Sequence, residues 1–308
     1  MPELSVEPLP FHPAQIWRWD EGYIAVGIDG EFLALDLQLQ KSSEVTKPFP
    51  CSVQSSALIG KNLIVTWVDH ELMFARIASF ALDKVFENGP ERGELRTRTS
   101  IDAALHPTGS VWSHVLDAEP LFLCSNDEQF VFILWQKGIY AMGADAGEHW
   151  RNQEPNWLEL ENLPHAEVVI SASLQGDLLH VWSRGAGRKT YLRENGELVS
   201  SEIIEFDGIL NSVYSHDENH LLCFDSGDVI WYRTETPQKH FKLKGPVQHA
   251  IWSEQHEAWH IAGWREEVLV SDTKDQRHVF NEIPVQIFVH NDSTLILMNS
   301  GEFLPSNF

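Results

Sequence analysis

The chain has 308 residues, of which 43% are hydrophobic and 22% charged, enough apolar mass for a substantial core in an ordinary soluble protein. Its 45 Asp and Glu outnumber 22 Lys and Arg, and the formal net charge of -23 repels phosphate backbones and anionic bilayers alike, which argues against nucleic-acid and membrane partners. The first residues, MPELSVEPLPFHP, form no basic or apolar leader, and no apolar run approaches the roughly 18 residues of a bilayer span, so a cytoplasmic protein is expected.

Nearly everywhere the apolar pattern has period two, in short runs of Val, Ile, Leu, Phe and Trp bounded by Gly, Asp, Asn and Pro, which is strand patterning. In chain order, an extended segment at 3–9 precedes a strand at 15–19, a hairpin at 22–36 (GYIAVGIDGEFLALD) and a strand at 44–49. A strand at 53–59, a hairpin at 61–77 and a strand at 94–99 follow. The last of these lies in a charged, Gly- and Pro-containing stretch, 79–113, that reads as an insertion or long loop. Residues 74–85 (FARIASFALDKV) fit either a helical turn or an extended strand. The same succession of strand, hairpin and strand recurs at 120–124, 128–145 and 157–161, and again at 168–173, 176–194 and 202–206. It recurs at 210–214, 219–234 and 240–243, then at 247–252, 257–273 and 278–282, and ends with 285–289 and 293–308.

The hairpins return at roughly 45-residue steps, the period of a four-stranded propeller blade. Seven units predict an all-β, seven-bladed β-propeller of four-stranded antiparallel blades, a single domain over residues 1–308. The seventh unit lacks a fourth strand. Pairing 3–9 with its hairpin closes the last blade with the N-terminal strand, because an open ring leaves two bare sheet edges. Six or eight blades, or two packed β-sandwiches, are alternatives that the same pattern accommodates.

Residues 138–150 (GIYAMGADAGEHW) resemble the PQQ-propeller repeat, in which a strand runs into a Gly turn and a Trp packs on the neighbouring blade. Tyr140, Ala141, Gly147 and Trp150 are the matching positions. The chain thus resembles the WD40- and PQQ-like propeller superfamily. The match covers one unit, so it implies the fold without implying a quinone. The Trp-Asp ending of WD40 blades is absent, and Trp19-Asp20 falls on a different strand.

Chemistry-bearing motifs are scarce. Gly185-Ala186-Gly187 is a hairpin turn rather than a phosphate loop, and no Ser lies in a G-x-S-x-G elbow, so no catalytic residue and no cofactor is assigned. His216 with His220, and His256 with His260, have i, i+4 spacing. That spacing gathers two ligands only on a helix, and both pairs straddle a strand turn, so no metal is expected. Cys51, Cys124 and Cys223 have neither disulfide nor zinc spacing and suit small core positions. Trp67, Trp135, Trp182 and Trp264 fall late in the second strand of four units and are expected to pack between blades. Trp150 and Trp157 flank an outer turn where either ring is a candidate for exposure.

Naming the strands of a unit A to D from the axis outward sorts the turns by face. The A–B turns hold Asp20, Glu21, Asp127, Glu128, Asp177, Asp217, Glu218, Glu254, Glu257 and Asp292 against Lys61. The B–C turns are mixed: Asp29, Asp69, Glu71, Asp225 and Glu266 with Lys137, Arg184, Arg188, Arg265, His70 and Asn299. Because loops on a rigid scaffold carry function, the candidate binding residues are His70, Lys137, Arg184, Arg188, Asp225, Arg265 and Asn299, on the B–C/D–A face. The expected function is a non-enzymatic scaffold for another protein. The alternatives are a propeller hydrolase, lyase or dehydrogenase with an axial site, or a carbohydrate-binding module.

Overall fold

A computed structural model describes residues 6–97, 105–233 and 238–308. Seven small antiparallel sheets follow one another along the chain, each built from consecutive strands, and they are the blades of a seven-bladed β-propeller. The first holds β1 (Pro13–Trp19), β2 (Gly22–Gly27) and β3 (Phe32–Leu35). The second holds β4 (Ser52–Ile59), β5 (Asn62–Asp69), β6 (Phe74–Ala81) and β7 (Trp112–Leu116). The third holds β8 (Pro120–Ser125), β9 (Phe130–Leu134), β10 (Gly138–Met142) and β11 (Glu148–Asn152). The fourth holds β12 (Val169–Gln175), β13 (Leu178–Ser183), β14 (Gly187–Leu192) and β15 (Leu198–Ile203). The fifth holds β16 (Leu210–His216), β17 (Asn219–Phe224), β18 (Asp228–Arg233) and β19 (Lys239–Lys242). The sixth holds β20 (His249–Ser253), β21 (Ala258–Gly263), β22 (Glu266–Val270) and β23 (Asp275–Val279). The seventh holds β24 (Pro284–His290), β25 (Ser293–Met298) and β26 (Phe303–Pro305).

The chain divides into two compact units, Phe11–Glu154 and Met1–Pro10 with Pro155–Phe308. In the first, β4 lies beside β1 and β8; in the second, β12, β16, β20 and β24 neighbour one another in series. The sheets stack through apolar faces. Between the first two sheets, Ile24, Val26, Phe32, Phe49, Leu63, Val65, Trp67 and Phe80 are buried together. Trp67 is fully covered there, so Trp67→Ala costs about 3–5 kcal/mol. Between the fifth and sixth sheets, Leu221, Cys223, Trp231, Trp259 and Ile261 do the same. In six of the sheets the first strand shifts register one or two residues from its start, as between Val53 and Ser55 or Val169 and Ser171. A bulge bends a strand and raises its twist, and its recurrence marks the repeat at backbone level.

The hairpins stand where the alternation placed them, and 74–81 is the strand β6 rather than a helical turn. Three of the outer strands differ. The expected strand at 94–99 overlaps a helix, α1 (Arg92–Thr97), and β7 supplies the fourth strand of that sheet instead. RGELRT does not alternate, and Glu91 donates its N–H to Glu94 Oε1 at 3.1 Å, half of a capping box that starts a helix. The expected strand at 157–161 is a short 3-10 turn, Leu158–Leu160, because Asp145–Gly147 reverses the chain directly after β10. The outer strand of that sheet is therefore β11, which carries Trp150. The expected strand at 44–49 reduces to an isolated bridge between Thr46 and Phe32. Its remaining backbone is engaged by the connection after β6: Lys47 N–H donates to Asn88 Oδ1, and Lys47 O accepts from Gly89, each at 2.9 Å. Any Cβ at Gly89 falls 1.9 Å from Pro48 O, so only glycine permits this approach. Of the expected closing segment, residues 3–5 lie outside the described residues. Residues 6–9 form no strand, but Leu9 N–H donates to Gly301 O at 3.0 Å, at the turn between β25 and β26. Gly301 has φ +88° and no room for a Cβ beside Leu9 O.

Candidate functional site

The B–C turn of the second blade, between β5 and β6, is organised by one carboxylate. Asp69 Oδ1 accepts the backbone N–H groups of Glu71 at 3.0 Å and Leu72 at 3.1 Å. Its Oδ2 accepts Arg92 Nε at 3.0 Å and Nη2 at 2.8 Å, and Arg92 also reaches Glu71 at 2.9 Å. Burial works against the charged form of Asp69, yet the hydrogen bonds from Arg92, Leu72 and Glu71 together outweigh it and hold the carboxyl below its ordinary range. The loop so fixed ends at Met73, which is 90% exposed and has φ +50°. A non-glycine side chain rarely adopts that left-handed conformation.

The corresponding turn of the third blade, between β9 and β10, is tied to the link that follows β7. Trp135 N–H donates to Glu119 O at 2.9 Å, and Lys137 Nζ lies 2.7 Å from Asp117 Oδ2. The hydrogen bond from Lys137, more than any other influence, lowers the Asp117 carboxyl, and it raises the Lys137 ammonium correspondingly. The Trp135 indole is 48% exposed. Together these elements enclose a groove of about 570 Å3, with Met73, Phe74, Ala75, Leu116, Ala118 and Trp135 as its apolar lining and Asp69, Asp117, Glu119, His70 and Lys137 as its polar lining.

On the other side of the β5–β6 turn lies a smaller, polar cavity of about 440 Å3, which shares Val68, Asp69 and His70 with the groove. Lys47, Cys51, Ser52, Gln54 and Arg92 also line it. Burial, and then Asp69, push the Cys51 thiol up to about 11, the opposite of what a nucleophilic thiolate needs.

The residues picked out by sequence separate into three groups. His70 and Lys137 line the groove together. Arg184, Asp225 and Arg265 are exposed on three successive B–C turns of the other unit, and Asn299 lies on a fourth. Asn299 Oδ1 accepts Ile283 N–H at 3.3 Å, a structural task within the seventh blade. Arg188 is a correction. It lies within β14 rather than on a turn, and it is buried: Nε donates to Glu202 Oε1 at 2.6 Å, Nη1 to His220 Nε2 at 2.9 Å, and the guanidinium packs over the rings of Trp182 and Tyr232. Glu266, assigned to the same turns, is likewise a buried strand residue, paired with Arg277 Nη1 at 3.1 Å.

The tryptophans also divide. Trp67 and Trp182 pack between blades with no exposure, whereas Trp135 and Trp264 stand on B–C turns with 48% and 43% exposed. Trp150 and Trp157, candidates for exposure, are buried. Met73 and Arg92 were not singled out by sequence. Met73 follows Leu72 as the apolar tail of the turn DHELM and carries no signal of its own, and nothing local ties Arg92 to Asp69.

No family model and no curated protein matches the chain. Among solved structures, the WD40 propeller domain of Doa1 matches with a TM-score of 0.67 and 11% identity, over 97% of this chain and 93% of that one. BamB from Moraxella catarrhalis matches with 0.58 and 10% identity, over 92% and 80%. This chain has the WD40- and BamB-like propeller fold. A third propeller, BBS1N in a complex with ARL6DN, matches with 0.64 and 11% identity, over 97% and 92%. At these identities the likeness is one of fold.

Proposed function

We propose that this propeller is a non-enzymatic scaffold that binds a protein partner at the B–C/D–A end of its second and third blades. One observation carries the reading: Met73, 90% exposed in a left-handed backbone conformation, stands with the half-exposed Trp135 over an apolar-floored groove. Exposing a large apolar side chain and straining its backbone both cost stability, and such costs persist where a surface is used. Aromatic residues and Met are enriched at the centres of interfaces. The BBS1N propeller, found in complex with ARL6DN, supports a protein as the partner class. The net charge of -23 makes nucleic acid and anionic membrane poor alternatives. His70 and Lys137 belong to this surface.

The test is photo-crosslinking in the cells that make the protein. A photoreactive residue replaces Gln136 on the groove rim, or Asp127 on an A–B turn as the control. A protein adduct formed from position 136, absent from position 127 and lost on adding Trp135→Ser is the expected result. Identical adducts from both positions, or none from 136, overturn the proposal.

A further inference from the structure

We infer that the groove takes a short peptide segment presenting one apolar side chain with an arginine or lysine beside it. This rests on the reading of the groove as a partner site and adds the chemistry of its occupant.

The argument starts from which charges are already satisfied. Asp69 is neutralised by Arg92, and Asp117 by Lys137. Glu119 also lines the groove, and its carboxylate has no partner among the described residues. Among the described residues the groove lining therefore carries three carboxylates against the one ammonium of Lys137, and the unmatched charge is Glu119. The backbone hydrogen bond from Trp135 to Glu119 starts both side chains from adjacent points of the rim. A half-exposed indole and an unpaired carboxylate that line one groove from hydrogen-bonded backbone positions suit a cation, which stacks on the ring face while donating to the oxygen. Arginine fits this best, since its planar guanidinium does both at once. The apolar floor below, Phe74, Ala75, Leu116 and Ala118, with Met73 on its rim, accounts for the second half of the motif. A volume of about 570 Å3 is that of an ordinary ligand cleft, which admits a few side chains and not a folded domain.

The experiment pans a random heptapeptide display library against the immobilised full chain, with Met73→Asp, Glu119→Gln and Glu119→Lys chains in parallel. Melting curves and near-ultraviolet circular dichroism establish that each variant is folded. The expected enrichment is Arg or Lys next to Leu, Met, Phe or Trp. Synthetic versions should bind about tenfold more weakly to Glu119→Gln, and still more weakly to Glu119→Lys and as salt rises. Exchanging the peptide's basic residue for Glu should restore binding to Glu119→Lys, which structural damage would not do. Enrichment of acidic or uncharged peptides that Met73→Asp abolishes overturns the cationic half and leaves the groove reading intact. Peptides indifferent to Met73→Asp overturn both. No enrichment at all overturns the peptide inference, while crosslinking from position 136 still decides the groove.

Discussion

His220 is held to one protonation state by geometry. Arg188 offers only donors, so Nε2, 2.9 Å from Nη1, must accept; the ring proton is then on Nδ1, which donates to Ser215 Oγ at 2.9 Å. A second proton would set N–H against N–H. Burial first, then the charges of Arg188 and His180, push the imidazole down to about 3. His180 and His249 are each pushed down to about 4, mainly by burial. An unfolded imidazole titrates near 6.5. Between that value and the folded one, the unfolded chain binds protons that the folded chain refuses. Stability is thus present above about pH 6.5 and is lost as pH falls, each group contributing up to about 1.4 kcal/mol per pH unit. Urea denaturation at pH 7, 6 and 5 should show the decline. His220→Gln retains an acceptor for Arg188 and should remove one proton's worth of the slope. A variant with the wild-type slope would clear His220 of the effect.

The β5–β6 turn shows the opposite economy, a local cost kept in place by its surroundings. Met73 has φ +50°, where glycine is free of strain. Met73→Gly should therefore stabilise the fold by about 1 kcal/mol, read from urea midpoints, while abolishing enrichment of the same peptides. Lower stability would show that Met73 packs usefully where it is. Such a residue is not legible as special from the sequence, because DHELM looks like any polar turn with an apolar tail. The hairpins are legible, since burial of one sheet face writes period two into the chain. The outer strands are less so. They lie farthest from the buried faces, as in β15, where Leu198–Ser201 are all exposed, so their alternation is weak and local turn chemistry decides where they begin. Trp67 and Trp135 make the same point for the site. Both fall late in an apolar run, but Trp67 lies two residues inside β5 and is covered, whereas Trp135 is one residue past the end of β9 and is half-exposed. Where the strand stops relative to the tryptophan thus separates a core residue from a surface one. The Arg92–Asp69 pair is invisible for another reason: it joins positions in different elements, and no local pattern encodes that contact.

Across the molecule, charge is distributed unevenly enough to set a measurable salt response. All ten A–B turn acids are exposed: Asp20, Glu21, Asp127 and Glu128 in one unit, and Asp177, Asp217, Glu218, Glu254, Glu257 and Asp292 in the other. Lys61 and Arg193 offset two of them, with contacts of 3.9 Å to Glu21 and 3.4 Å to Asp177. Two effects of salt then compete. Screening weakens exposed ion pairs such as Lys242–Asp228 and Lys137–Asp117, each worth about 0–1 kcal/mol. It also relieves repulsion among carboxylates that outnumber the bases by 23, and repulsion of that kind destabilises a compact state. The excess is large and the exposed pairs are weak, so relief should win. Raising NaCl from about 0.05 to about 0.5 M shortens the Debye length from over 10 Å to under 5 Å, and the urea midpoint should rise. Preferential exclusion of salt also raises midpoints, so the direction alone does not isolate repulsion. A chain with amides at Asp177, Asp217, Glu218, Glu254, Glu257 and Asp292 isolates it. Asn at 217 and 292 also suits their positive φ and shifts the low-salt midpoint for an unrelated reason, so the quantity to compare is the change with salt. A flatter response in the amide chain assigns the effect to the acidic turns; an equal response would place it elsewhere in the charge distribution.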